Sequence, residues 1–131
     1  MKVLGIRFCK VAKAEEAKAL ADLLGENGLG LETLNSGQTD GFSGAVFPVD
    51  ESAKQGLGSW IELWAAGGGM PEMTMLQIVV DDADAFAERA RKNGLDVKGP
   101  DDARHDDHGG ERIYYLEGAG GLPIAFLSKL K

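Results

Sequence analysis

The chain has 131 residues, with 14 Lys plus Arg against 21 Asp plus Glu and a formal net charge of −7. That acidity argues against a nucleic-acid partner, because phosphate binding needs a basic face. A single cysteine excludes an internal disulfide. No apolar run approaches the ~18–20 residues of a membrane span, and no signal-like segment opens the chain. A cytoplasmic protein with no membrane partner is expected.

Val3 to Cys9 alternates, with Leu4, Ile6 and Phe8 on one strand face and Gly5, Arg7 and Cys9 on the other. From Lys13 to Leu24 the period changes to that of a helix: Ala17, Leu20, Ala21 and Leu24 make one apolar stripe, and Gly25 or Gly28 is placed to end it. Leu29 to Leu34 reads as a short strand. Asn35 to Gly41 is turn chemistry, and Phe42 to Val49 is a strand that ends near Pro48. Asp50 to Gly58 is a loop or a helical turn. Ser59 to Trp64 then alternates again, placing Trp60, Glu62 and Trp64 on one face and Ile61 and Leu63 on the other.

Gly67-Gly68-Gly69-Met70-Pro71 is the strongest punctuation in the chain, and the same order of elements begins again after it. Met73 to Val80 is a strand with Leu76, Ile78 and Val80 on one side and Met73, Met75, Gln77 and Val79 on the other. Asp81 or Asp82 caps a helix whose stripe is Ala83, Phe86, Ala87 and Ala90, and Asn93-Gly94 ends it. Leu95 to Lys98 reads as a short strand, Gly99 to Gly110 as a polar loop, and Arg112 to Leu116 as a strand. Gly118 to Gly121 is a turn before a last strand, Leu122 to Leu127. The chain is therefore α+β: two βαβββ modules, 1–66 and 73–131, joined by a linker over 67–72 in a single domain.

Ile78-Val79-Val80-Asp81-Asp82-Ala83-Asp84-Ala85-Phe86, then Gly94-Leu95-Asp96-Val97, then Gly121-Leu122-Pro123-Ile124-Ala125-Phe126-Leu127 carry a resemblance over nearly the whole chain. In this order they resemble the vicinal oxygen chelate superfamily of glyoxalases, bleomycin-resistance proteins and extradiol dioxygenases. The resemblance implies that each module curls into half a cup, with helices outside and a cavity between the halves. Leu4, Ile6, Phe8, Ile61, Leu63, Leu76, Ile78, Val80, Ile124 and Phe126 would then pack beneath the helices. Gly5, Arg7, Cys9, Trp60, Glu62, Trp64, Met73, Met75, Gln77, Ala125 and Leu127 would face the cavity. Open sheet edges, the glycine linker and the family's habit imply a homodimer.

The resemblance also implies a divalent metal held by side chains from the first, fourth, fifth and eighth strands. Those positions fall here on Gly5, Glu62, Met75 and Ala125; a two-residue shift on the fifth strand substitutes Gln77. Glu62 and Gln77 together fall short of the three or four ligands a catalytic metal needs, so no metal and no other cofactor is expected. His105 and His108, beside Asp106 and Asp107, read as part of a solvated loop, and Cys9 as a buried, inert thiol.

What is left is a cavity for a small molecule bounded by Arg7, Trp60, Glu62, Trp64, Met75, Gln77 and Tyr114 or Tyr115, of which Tyr115 is preferred. Two tryptophans suit a planar or cationic ligand. Glu62, the candidate catalytic residue, would pair with Arg7, receive a ligand amine or act as a base. The expected function is metal-free binding of a small planar or cationic molecule, as in the bleomycin-resistance branch. The alternative is a metal-dependent glyoxalase- or dioxygenase-like enzyme with a rearranged site centred on Glu62.

Overall fold

The computed structural model describes residues 2–34, 43–104 and 109–130. Its elements are β1 (Val3–Ala12), α1 (Ala14–Leu24), β2 (Gly44–Pro48), β3 (Trp60–Ala65), β4 (Met73–Val80), α2 (Ala83–Lys92), β5 (Lys98–Ala103), β6 (Glu111–Glu117) and β7 (Pro123–Lys129), with short 3-10 turns at Glu51–Gln55 and Ala119–Gly121. The seven strands form one mixed, unclosed sheet in the order β2-β3-β1-β4-β7-β6-β5. This is the α+β architecture expected from the alternation and the repeat, with the cup that the resemblance implies.

The repeat is visible in the pairing. In the first half β1 runs parallel to β3, and in the second β4 runs parallel to β7. The halves meet edge to edge within the chain, through antiparallel pairing of β1 with β4 from Val3↔Val80 to Val11↔Met73. Each half also has its own apolar cluster. Beneath α1, Ala45, Phe47 and Leu63 pack with Leu20, Ala21, Leu24 and Ile61. Beneath α2, Val80, Ala83, Ala87, Val97, Tyr114 and Phe126 pack with Ile78, Phe86, Ala90 and Leu116. Helix caps follow the sequence: Asp82 accepts from the Ala85 amide at 3.1 Å, and the Gly25 amide closes α1 on the Ala21 carbonyl at 2.9 Å.

Four expectations need correction. Leu29–Leu34 forms no strand among the described residues. Its one ladder-like contact is the Leu34 amide on the Val46 carbonyl at 2.8 Å, at the place where β5 pairs with β6 in the other half. Conversely, β5 starts where the Leu95–Lys98 strand was expected to end and takes up part of the expected polar loop. As an edge strand it tolerates Pro100, whose missing amide needs no partner on that side.

The third correction concerns the outer face of β1. Leu4, Ile6 and Phe8 stand on the helix side of the sheet as their parity requires, yet Ile6 is 54% and Phe8 46% exposed. Helix α1 packs on β3 and β2, and α2 on β6, β7 and the Ile78–Val80 end of β4, so Ile6 and Phe8 belong to neither helix's apolar cluster. Gly5 is the fourth: it does not line the cavity. A Cβ there would come within 2.3 Å of the Gly58 backbone, so the position admits only glycine because another segment crosses it. The expected turn at Asn35–Gly41, Phe42 and the pair His105 and His108 lie outside the described residues.

Candidate functional site

Alternation sends every second side chain of β1, β3, β4 and β7 to the concave side, where they line a cavity of about 420 Å³. Arg7, Trp60, Glu62, Trp64, Met75, Gln77 and Tyr115 all lie on its wall, together with Cys9, Met73, Ala125 and Leu127. Strand register orders them. Arg7 stands between Trp60 and Gln77, Cys9 between Glu62 and Met75, and Val11 between Trp64 and Met73. Tyr114 points the other way, stacking on Phe126 with centroids 5.4 Å apart and donating its hydroxyl to Asp84 at 2.5 Å. That settles the choice between the two tyrosines by parity.

Glu62 is held by its own strand. Trp60 Nε1 donates to one carboxylate oxygen at 3.0 Å and Trp64 Nε1 to the other at 2.7 Å. Positions two before and two after Glu62 share its face, so the Trp-x-Glu-x-Trp spacing is what makes this clamp. Both bonds are charge-assisted, which fixes the carboxylate while leaving each oxygen a further acceptor site. The tryptophans are therefore less open as platforms than their composition implies. Arg7 lies over the Trp60 ring with Cζ 3.4 Å from its centroid. The Trp64 ring rests on Gly44, where a Cβ would meet Cε3 at 2.0 Å.

The expected pairing of Glu62 with Arg7 is not made. Arg7 is 1% exposed and donates from Nη1 to Glu111 Oε1 at 2.9 Å and from Nη2 to the Gly56 carbonyl at 3.0 Å, while its Nε has no partner among the described residues. Glu111 begins β6, three strands from β1 in the sheet order. Across a flat sheet those strands would stand about 14 Å apart. The ion pair therefore exists because the sheet curves, and it ties the first half of the chain to the second across the cavity. Reading the loop to Gly110 and the strand from Arg112 left Glu111 in neither element, whereas β6 begins on it. The residue's only signal was its place two before Ile113 and four before Tyr115 on one parity. Val11, Val46, Met70 and Ile113 are further wall residues that the pattern reading left out.

Cys9 is buried, and its thiol is pushed up to about 12 by desolvation and then by the neighbouring Glu62 charge. Both causes favour the neutral thiol over the thiolate. The donor set does not fit the divalent metal that the fold family implies. Gly5 and Ala125 bring no donor atom and Met75 brings a thioether, which leaves Glu62 as the one carboxylate at those four positions. Gln77 turns its amide nitrogen toward Met75 Sδ at 3.8 Å. Among the described residues, no three His, Cys, Asp or Glu side chains converge where an ion could be held.

Comparison with solved structures bears on the architecture. Methylmalonyl-CoA epimerase of Streptomyces coelicolor in complex with 2-nitronate-propionyl-CoA superposes with a TM-score of 0.65 at 14% identity, over 100% of this chain and 99% of the other. A hypothetical protein of Bacillus halodurans C-125 gives 0.66 at 15%, over 98% and 94%. The chain has the vicinal oxygen chelate fold. Methylmalonyl-CoA epimerase of Mycobacterium tuberculosis shares that fold with this chain at a TM-score of 0.59 and 21% identity, over 98% and 88%. No family model and no curated protein sequence matches. No helix among the described residues is long and apolar enough to cross a membrane.

Proposed function

We propose that this vicinal oxygen chelate fold binds a small organic molecule in its central cavity, without a metal and with Glu62 as the polar anchor. The supporting observation is the clamped carboxylate: both oxygens are held by indole N–H groups and both keep acceptor capacity, in a pocket whose size falls in the ~300–1,000 Å³ range of ligand sites. Arg7 and Glu111 neutralise each other, so Glu62 is the remaining charge on the wall and favours a ligand that brings a cationic or hydrogen-bond-donating group. Met70, Met73 and Met75 line the same space. Thioether side chains adapt to irregular apolar shapes and contact aromatic rings favourably, which suits a planar body and tolerates variation in it. The ligand class is thus an apolar planar molecule carrying one donor or positive group. The chain acts as a cytoplasmic homodimer in this reading.

The test is a calorimetric and thermal-shift titration with planar aromatic amines and their quaternary analogues. Binding is expected with EDTA present, and Glu62→Gln should weaken it by ~10–100-fold, since a hydrogen bond to a charged group contributes about 1.5–3 kcal/mol. The metal-dependent alternative centred on Glu62 requires a stoichiometric divalent ion in chelator-free protein and a melting temperature that drops with EDTA. Finding both would overturn the proposal.

A further inference from the structure

Strand register orders the cavity wall from a closed end to an open one. Arg7, beside Trp60 and Gln77, is sealed there by its ion pair with Glu111. Val11, beside Trp64 and Met73, leads instead toward the segment that joins the two halves of the chain. Residues 67–72 of that segment are exposed, and Met70 belongs both to it and to the cavity wall. Met70 is 39% exposed, whereas the other wall residues are buried or half-buried. It stands at the mouth.

The backbone around Met70 is a small hairpin. The Gly67 amide donates to the Met70 carbonyl at 2.9 Å, and the Met70 amide to the Gly67 carbonyl at 3.0 Å. Gly68 and Gly69 make the two-residue loop with φ of +58° and +93°, the sign a type I′ turn demands at both central positions. Gly67 has φ +129°. A Cβ on any of the three would meet nothing within 4 Å, so conformation and not crowding sets these glycines. The Ala66 amide on the Ala12 carbonyl, at 2.7 Å, is the last tie to the sheet; beyond it, among the described residues, the backbone bonds of 67–70 close within the hairpin. An isolated hairpin of this size is marginal in water, and exposed segments with few packed contacts open at low free energy. Pro71 fixes its own φ and restricts Met70 before it, so the give lies on the glycine side.

We infer that residues 67–70 are a lid on the cavity, hinged at Gly67, with the Met70 side chain as its plug. The inference deepens the ligand-binding reading and rests on it for what passes the lid. The lid moves without breaking either half of the sheet, because β3 ends at Ala65 and β4 begins at Met73. Lifting it opens the Trp64 end and leaves Glu62 in place, since the indole clamp is made within β3. Lowering it sets a thioether against a planar ligand, a favourable contact. Closure also removes water from around Glu62, and an ion pair strengthens as water leaves.

Two measurements on the full chain test this. In ligand-free protein, acrylamide quenching of tryptophan fluorescence reads access through the mouth. Met70→Ala should raise the quenching constant at least twofold with an unchanged circular dichroism spectrum, and Met70→Leu should restore it. Gly67→Pro, which removes the amide that bonds the Met70 carbonyl, should raise it as Met70→Ala does. Val49→Ala, at an exposed apolar residue off the cavity wall, should leave it unchanged. Stopped-flow mixing with 9-aminoacridine, a planar amine, then reads passage: Met70→Ala should raise the association and dissociation rate constants together, at least fivefold. A quenching constant equal in Met70→Ala and wild type would overturn the lid whether or not the amine binds. A faster dissociation alone would make Met70 a wall contact and overturn the lid. Raised quenching with no binding of the amine would support the lid and overturn the reading of the ligand.

Discussion

Strands β1 and β4 present opposite chemistries on their two faces, and the distribution inverts the usual rule. Their concave side carries a charged arginine, a thiol, a glutamine and methionines, and Arg7 and Cys9 there are nearly sealed from solvent. Their convex side carries isoleucine, leucine and phenylalanine, and Ile6 and Phe8 are about half exposed. Polar groups inside an enclosed cup must each be satisfied locally, so that face is held together by named pairs. Apolar groups outside have no such requirement and leave a surface to be covered. The comparison teaches that strand parity sorts side chains into two sets, while the placement of helices decides which set is buried.

The largest expected effect breaks the inner face. Glu111→Ala leaves the buried Arg7 guanidinium with the Gly56 carbonyl as its hydrogen-bond acceptor among the described residues, and removing one partner of a buried ion pair costs about 3–5 kcal/mol. Urea unfolding should show that loss. A double variant, Arg7→Met with Glu111→Leu, should recover most of it, because the penalty comes from the stranded charge rather than from the lost pair.

Gly5→Ala comes next. The new methyl group would meet the Gly58 backbone, and overpacking against backbone costs about 1–3 kcal/mol. A melting temperature equal to wild type would show that Gly58 is free to move and that the close crossing does not constrain β1. The same crossing explains why the position that the family resemblance gives to a metal ligand has none here.

How much of this was legible in the sequence follows from the kind of signal involved. Alternation over Val3–Cys9, Trp60–Trp64 and Met73–Val80 fixed which residues share a face, and those faces are what the sheet displays. The Trp-x-Glu-x-Trp spacing also put three wall residues side by side. Coverage was not legible: nothing in Ile6 or Phe8 says whether a helix lies above. The Arg7–Glu111 pair was not legible either, since it joins residues 104 apart through curvature that no local pattern encodes. β5, reading Lys-Gly-Pro-Asp-Asp-Ala, has no strand pattern and owes its conformation to pairing with β6.

A smaller effect contrasts the inner ion pair with one on the rim. Arg112 bonds Asp102 from Nε at 2.8 Å and from Nη2 at 3.0 Å, and Asp84 from Nη1 at 3.1 Å, in an exposed network. The Tyr114 hydroxyl and then Arg112 hold the Asp84 carboxyl below the usual carboxylate range, and Arg112 does the same for Asp102. Solvent screening leaves such exposed pairs little net stabilisation, so Asp102→Asn should change stability far less than Glu111→Ala. Because both folded pKa values are depressed, the contribution is present above the ordinary aspartate range and fades as pH falls through the folded values.

Cys9 has no effect on the pH dependence of stability at neutral pH, and where it acts it runs with the opposite sign. Its folded pKa is raised to about 12, so its contribution is complete below the unfolded thiol value of 9.0 and is lost as pH rises from there toward 12. Cys9→Ala should flatten the alkaline limb of the stability curve in that window only. A difference curve that is flat there would place Cys9 in contact with solvent.

The central claim is that Glu62 is locked by two indoles and meets the ligand, and the chain's two tryptophans make it directly observable. A nitrogen-15 correlation spectrum should show two indole N–H signals. Both should move when Glu62 is replaced by Gln, and both should move together when a planar cation is titrated into wild type. A ligand that binds tightly while leaving both signals in place would contradict the account.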